Sequence, residues 1–432
     1  MSWVTILLAL ILITMLLLGS GFYICVGISI ASIAVLMLLG KLSLLQILSN
    51  VLWNTSTDFM MTAIPLFLLM GDILMESNLS GGFYRGLSKF LRFIPGGLLH
   101  SNIMGCGIFS AISGSSVACA AAIGGVAIPD QKKLGYFPRY IYGSLASGGT
   151  LGILIPPSIA MIIYCALTDS SVVMLFKCAT VPGITLMLAY MGFIFFAALV
   201  KKDLFPKGAA GSTVADITTG EALKGVAPFF ILIAAILGSI YGGIATATEA
   251  AAIGCVLSLV ISRICGNLTK DSLVRAMKNT LCATSMILFI TISAKLFSYV
   301  LTATGATREM VSWVSDLNLS YVGLLLVVYS IYIILGCFVE STAMLFLTLP
   351  VLYPILKSYD INLIWFGVVL VILVELGQIT PPVGINLFVI KGVDPVDATL
   401  GEIVKGVIPY AALMLGFVAF LTVFPGYALL FY

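Results

Sequence analysis

Histidine is nearly missing from this chain of 432 residues: His100 stands alone. Metal centres and acid–base enzymes draw heavily on imidazole, so the absence weakens both readings at once. Charge is scarce as well, at 9% of residues against roughly 25% in soluble globular domains. The net charge is only +3 and no long basic run occurs, which argues against a nucleic-acid partner. Cysteine pairs are missing too. Cys25, Cys106, Cys119, Cys165, Cys178, Cys255, Cys265, Cys282 and Cys337 lie scattered in apolar stretches without a CxxC, and read as small packing residues rather than a disulfide or zinc framework. No cleavable leader is expected either. Residues 3–18 are apolar, but no basic residue precedes them and no small-residue cleavage site with a polar mature domain follows.

What the chain has in abundance is apolar surface. Sixty-one per cent of its residues are hydrophobic and the mean hydropathy is +1.17, far beyond what a soluble domain can hide from water. At about 20 residues per span there is room for on the order of a dozen crossings. Apolar segments fall near 3–20, 22–40, 60–77, 98–128, 136–168, 177–200, 226–242, 247–264, 281–303, 321–356, 363–390 and 406–431. Two mixed stretches, 43–56 and 305–320, read as helices lying along the membrane surface. The most polar stretch, 201–224, divides the chain into a first half, 1–200, and a second half, 225–432.

Three apolar segments are not plain spans. Segment 98–128 carries glycines and serines from Gly105 to Ser116 in its middle, segment 136–168 contains Gly148–Ser158 with Pro156–Pro157, and segment 363–390 contains Glu375–Gly384 with Pro381–Pro382. A Pro-Pro pair removes two amide donors and blocks helix on its N-terminal side, so a membrane protein keeps such a break where it lines a cavity or binds a cation. The two Pro-Pro pairs are 225 residues apart, and the same offset aligns Gly152 with Gly377, Leu151 with Leu376 and Pro129 with Pro354. It also sets the serine-rich tip of 98–128 against residues 336–342. Each half is therefore expected to hold a re-entrant helical hairpin (98–128 and 321–356) followed by a broken helix (136–168 and 363–390). A shorter echo, 220–228 with 401–409, does not share that offset and reads only as a common helix-entry pattern.

Charge orients the arrangement. With the 201–224 connector in the cytoplasm and each hairpin entering without crossing, 16 Lys and Arg residues fall inside. Only Lys41, Lys177, Arg308 and Lys357 fall outside, with Lys295 within a span. The expected fold is an all-α polytopic membrane protein of two inverted-topology repeats with both termini outside, the pattern of a secondary transporter.

The chemistry-bearing residues cluster at the tips and breaks. Around Ser110–Ser116 hydroxyls and unwound backbone precede a helix N-terminus, an end that favours a carboxylate. A substrate or ion site and tight packing of small residues both account for such a tip. Ser115, Ser116, Glu340, Ser341, Thr342 and Asn386 are the candidate substrate-binding residues. The breaks leave carbonyls without helical partners, as a sodium ion requires, so Ser110, Ser113, Gly152, Ile155 and Pro157 form one candidate sodium site, and Gly336, Gly377, Thr380 and Val383 the other. A plain kink is the bland alternative. Intramembrane charges are usually functional. Lys295 is a candidate to neutralise Glu340 or Glu375, or to receive an anion, with Asp72 its approximate counterpart; a structural ion pair is the alternative. Glu249 is expected to cap a helix and His100 to lie at the interface. An intramembrane serine hydrolase built on Ser113 lacks a base, since His100 falls at a different depth.

The segments 111–136, 151–164, 243–254 and 379–389, among them LGILIPPSIAMIIY and ITPPVGINLFV, resemble the large membrane subunit of tripartite ATP-independent periplasmic (TRAP) transporters, over nearly the whole chain. The resemblance implies a sodium-coupled importer of organic acid anions, such as sialic acid or a dicarboxylate, in a bacterial inner membrane. It implies an elevator motion of hairpins and broken helices against a fixed scaffold. It also implies two partners, a small four-helix membrane subunit and a soluble periplasmic substrate-binding protein. No segment before Trp3 supplies a fused small subunit, so a separate chain is expected. Ala247 stands where the family often has proline, and Cys119 where many members carry an acidic residue, which weakens the case for a short dicarboxylate. A stand-alone sodium–anion symporter is the neighbouring reading, and an ion channel the more distant one.

Overall fold

The computed structural model describes residues 3–40, 46–200 and 217–432, and every regular element within them is a helix. In hydrocarbon the backbone must pair its own polar groups, and helices do this segment by segment. Among the described residues seven helices are long and apolar enough to span a membrane, and an eighth span is formed if Pro138–Leu154 and Ile159–Thr168, bent by 40°, count as one. Five shorter apolar helices of 10–17 residues complete the set. The protein is thus a multi-pass membrane protein.

The irregular segments break where proline and glycine demand it. The first hairpin has arms Leu98–Ser113 and Ser116–Lys133, and the second Tyr321–Gly336 and Ser341–Ser358. Each break in the other pair falls at its Pro-Pro: Leu151–Leu154 is followed by Ile159–Thr168, and Leu363–Gln378 by Ile385–Val393. The second arms, Ser116–Lys133 and Ser341–Ser358, start 225 residues apart and are both 18 residues long. Gly114 turns the first tip at φ 62°, where a side chain would meet Ile159 at 2.9 Å. Only glycine takes that conformation at no steric cost.

Around these lie long helices. Lys270–Ala303 has 34 residues, about 51 Å at 1.5 Å per residue, more than the roughly 30 Å of hydrocarbon. It begins eleven residues before the expected 281, because Thr269 caps it and its polar first turns are exposed. Its later half packs with Trp3–Gly19 and Ile24–Leu38 in an apolar cluster apart from the main core. Trp3 also donates to Glu309 at 3.3 Å, joining the chain's start to the helix Ala306–Asp316 within the stretch read as interfacial. The other such stretch holds Ile47–Ser56, with 41–45 outside the described residues. Most of the expected connector, 201–216, also lies outside the described residues.

One helix escaped the sequence reading. Leu79–Leu91 fills the gap between 77 and 98, and it explains the shorter echo. In both copies a threonine caps the helix (Thr218 for Thr219–Tyr241, Thr399 for Leu400–Val423), and a glycine four residues beyond the first helical glutamate sits at a helix crossing. A Cβ on Gly225 would lie 2.5 Å from the carbonyl of Gly82, and one on Gly406 2.3 Å from that of Arg139. The echo marks two backbone-to-backbone crossings, of Leu79–Leu91 and of Pro138–Gly149.

Candidate functional site

The two hairpin tips meet. Gly114, Ser115 and Ser116 of the first and Glu340, Ser341 and Thr342 of the second line one cleft of about 160 Å³. Ile153, Ile159 and Gln378 of the broken helices complete it, and Leu68 and Ile287 give it an apolar wall. Five of the six candidate substrate residues are therefore brought together. Asn386 is the exception: it is fully buried behind the cleft, with its amide nitrogen 3.4 Å from where a Cβ on Gly149 would stand. Gln378 was missed, although it is a polar side chain in an apolar run, between Glu375 and Pro381–Pro382; its amide donates to Val339 at 3.3 Å and ties that break to the second tip.

The tips carry opposite electrostatics. Ser115 caps the first arm with a neutral hydroxyl that accepts from the Ala118 amide at 3.3 Å. At the equivalent place Glu340 caps the second arm, accepting from the amides of Thr342 at 2.9 Å and Ala343 at 3.1 Å. A helix N-terminus favours one negative charge. Glu340 supplies it at the second tip from its own loop, whereas the first arm has no acidic cap of its own and the carboxylate at its first residue is Glu375 of the second broken helix, which accepts from the Ser116 hydroxyl at 2.8 Å.

The first candidate sodium set is contiguous. The Ser110 hydroxyl is buried without a hydrogen-bond partner, and lies 2.6 Å from where a Cβ on Gly152 would stand. Pro156 and Pro157 bring no amide to the carbonyls of Gly152 and Ile153, one helical turn earlier. Ser113 Oγ lies at the far limit of a hydrogen bond, 3.5 Å, from the Ser115 amide, and Ile155 enters the break in extended conformation.

The second set is contiguous as well, but internally bonded. A Cβ on Gly377 would fall 2.4 Å from the α-carbon of Gly336, so tip and break touch backbone to backbone. Gly384 N–H donates to the Cys337 carbonyl at 3.1 Å. The Thr380 hydroxyl donates to the Leu376 carbonyl at 2.6 Å, which uses its proton and leaves its oxygen free to accept. Val383 follows the exposed pair Pro381–Pro382.

One expectation about charged groups changes. The carboxylate beside Lys295 is Asp58, at 3.8 Å, and not Glu340 or Glu375. Asp72, its approximate counterpart in the first half, accepts from Thr280 at 2.6 Å. His100 lies in the first turn of Leu98–Ser113 and is buried there, with Nε2 2.8 Å from the Pro95 carbonyl. Glu249 does cap its helix, in a reciprocal box with Thr246. Polar side chains that pair inside a bundle rather than with the nearest sequence neighbour leave no local pattern to read.

Residues 9–427 match the family described as "Tripartite ATP-independent periplasmic transporter, DctM component". The chain belongs to that family. As a DctM subunit it is a transport protein and not an enzyme. The C4-dicarboxylate TRAP transporter large permease protein DctM of Pseudomonas aeruginosa is 36% identical over 384 residues, covering 88% of this chain and 87% of that one. The sialic acid TRAP transporter large permease protein SiaM of Vibrio cholerae is 26% identical over 377 residues, covering 86% of each. Among solved structures, the YdaH transporter of Alcanivorax borkumensis superposes with a TM-score of 0.65 over 89% of both chains at 16% identity, a likeness of fold alone.

Proposed function

We propose that this DctM subunit imports a small organic acid anion together with sodium ions. The observation that carries the reading is the cleft between the two tips, which brings five candidate residues from both halves of the chain to one place. The anion sits against Ser115 and Ser116, where a helix N-terminus carries no carboxylate of its own, and the apolar wall of Leu68 and Ile287 excludes water behind it. Among the described residues no lysine or arginine lines the cleft, so charge balance falls to cations held at the breaks. One sodium is held by Ser110, Ser113, Gly152, Ile155 and Pro157, the other by Gly336, Gly377, Thr380 and Val383. The bare hydroxyl of Ser110 supports the first, and the free acceptor face of Thr380 the second. A C4-dicarboxylate is the first candidate substrate, as in the Pseudomonas relative's name, with a sugar acid such as sialic acid the second.

The anion is delivered by a periplasmic binding protein, and a small four-helix subunit completes the membrane part in the bacterial inner membrane. The halves are inverted, both termini are periplasmic, and the hairpins with the broken helices slide as an elevator against the long helices. The 225-residue spacing of the second arms supports the repeat. Ion pairs such as Lys132 with Asp397 at 2.8 Å and Arg275 with Glu76 at 2.8 Å join residues that this topology puts on one face.

Uptake of labelled succinate into proteoliposomes holding both membrane subunits should require an inward sodium gradient and the loaded binding protein. Uptake driven by a proton gradient in sodium-free buffer overturns the coupling, and uptake without the binding protein favours a stand-alone symporter. For orientation, the exposed Cys265 and Cys282 are replaced by serine, and cysteines at the exposed Lys357 and Lys405 should then label from opposite faces. Labelling of both from one side refutes the inversion.

A further inference from the structure

Glu375 is the one acidic side chain fully buried among the described residues. Its Oε1 accepts from the Ser116 hydroxyl at 2.8 Å, across 259 residues of sequence, and its Oε2 has no hydrogen-bond partner. Ser116 opens the second arm of the first hairpin, while Glu375 closes the first part of the second broken helix. A second buried group is left bare beside them. Asn386 has neither amide atom bonded, and its nitrogen and the Ser116 carbonyl both border Gly149, 3.4 and 3.1 Å from where a Cβ there would stand. The groups that face Glu375 electrostatically are Ser116, Ser341, the carboxylate of Glu340, the thiol of Cys119 and the phenol of Tyr190. None is a cation, and Lys295 is held elsewhere by Asp58. An ionised carboxylate with a bare oxygen is too costly in such a place to stay uncompensated, and membrane proteins meet the cost with a bound proton or a bound metal cation.

We propose that Glu375, Ser116, Ser341 and Asn386 form a third monovalent-cation site, joining the first hairpin to the second broken helix. Its occupant is a proton on Glu375 or a sodium ion on Glu375 Oε2 and the Asn386 amide oxygen; both neutralise the same carboxylate. The site has a consequence for the cleft. Ser116 and Ser341 line the cleft and also face Glu375, and Glu340 stands beside both. With the cation absent, two carboxylates oppose an arriving anion; with it present, only Glu340 remains, and that charge is already bonded to its own helix amides. Cation loading therefore precedes anion binding.

The proposal adds a site to the two-sodium reading and is tested without transport. Purified protein in nanodiscs is examined at neutral pH by infrared difference spectroscopy and by equilibrium binding of radiolabelled sodium. The expected result for wild type against Glu375→Gln is one of two. Either the variant loses a protonated-carboxyl band, which identifies the proton, or it binds one sodium ion fewer per chain, which identifies sodium. A variant that keeps both the band pattern and the sodium count overturns the proposal. Should Glu375→Gln fail to fold, Ser116→Ala removes the hydrogen bond to Oε1 and must shift the band or weaken the sodium isotherm at least fivefold; no change in either overturns it equally. Failure of sodium-driven uptake in proteoliposomes, by contrast, bears only on the transport reading.

Discussion

The two hairpin-and-break units start from the same covalent device and end in different states. In the first, Pro156, Pro157, Ser110 and Ser113 are all buried, and the Ser110 hydroxyl is left unbonded. In the second, Pro381, Pro382, Phe338 and Glu340 are exposed, yet the backbone bonds itself. Thr380 serves the Leu376 carbonyl with its hydroxyl and the Gly377 carbonyl with its amide at 3.1 Å, while Gly384 and Gln378 fasten the break to the tip. The lesson concerns where polar groups find partners. A buried break has no water to lean on, so an unmet hydroxyl there carries a desolvation cost, which the proposed sodium ion would offset. An exposed break can be wet, and it keeps its shape by its own hydrogen bonds.

The largest effect expected from this difference is at the paired glycines. Gly377→Ala would drive a methyl into the Gly336 backbone at 2.4 Å, with no side chain that can turn away. Overpacking typically costs about 1–3 kcal/mol, and rigid backbone puts this case at or above the upper end. Gly152→Ala instead meets Ser110, whose Oγ at 2.6 Å can rotate away but whose Cβ at 2.8 Å cannot, so part of its cost remains. Thermal melts in detergent should show both variants destabilised, Gly377→Ala more than Gly152→Ala. Equal melting temperatures would mean that the second unit is as adaptable as the first.

Next comes the orphan hydroxyl. An unsatisfied buried polar group costs about 1–3 kcal/mol, so Ser110→Ala should raise stability in sodium-free buffer by about 1 kcal/mol. The same variant should raise the sodium concentration for half-maximal uptake about tenfold. Loss of stability with an unaltered sodium response would remove Ser110 from the first site.

Thr380→Ala should raise the half-maximal sodium concentration about threefold, since one hydroxyl ligand is lost but the carbonyls remain. Val383→Ala, which keeps its carbonyl, should leave it unchanged. A sodium titration of uptake that cannot tell these variants apart misplaces the second site and favours a plain kink over 377–383.

The smallest effect concerns the clasp between the units. Lys132, at the end of the first hairpin, pairs with Asp394, just past the second broken helix, and Tyr142 donates to the same carboxylate at 2.7 Å. Burial pushes the Asp394 carboxyl up, but the bonds from Lys132 and Tyr142 outweigh it and hold the group below the ordinary carboxylate value. A carboxyl lowered on folding contributes stability above its unfolded value and loses it as pH falls through the folded one. Melting temperature should therefore drop below about pH 4 more steeply in wild type than in Asp394→Asn. Parallel acid slopes would show that the clasp adds nothing.

Much of the candidate site was legible because its grammar is local. Pro-Pro and the glycines before it located both breaks, the serines located the first tip, and the 225-residue offset carried Ser115 onto Glu340, where the structure places equivalent caps. Asn386, read as a cleft residue, stands behind it, since a helix rotates its side chains by a phase that a broken helix does not transmit. Leu79–Leu91 went unread because its exposed Arg85 and half-buried Lys89 hide a buried stripe of Phe83, Tyr84 and Leu87.

The sequence by itself determined that the chain is a helical membrane protein, where its helices break and which family it resembles. Those features follow from apolar content and from proline's missing amide, whose effect reaches no further than one helical turn. Only the tertiary structure decided that Gly336 rests on Gly377, that Lys295 faces Asp58, and that Glu375 is held by a serine 259 residues away. Such contacts depend on how whole helices rotate and cross. Small residues set the closeness of a crossing, but the partner is chosen by the packing of every helix around it.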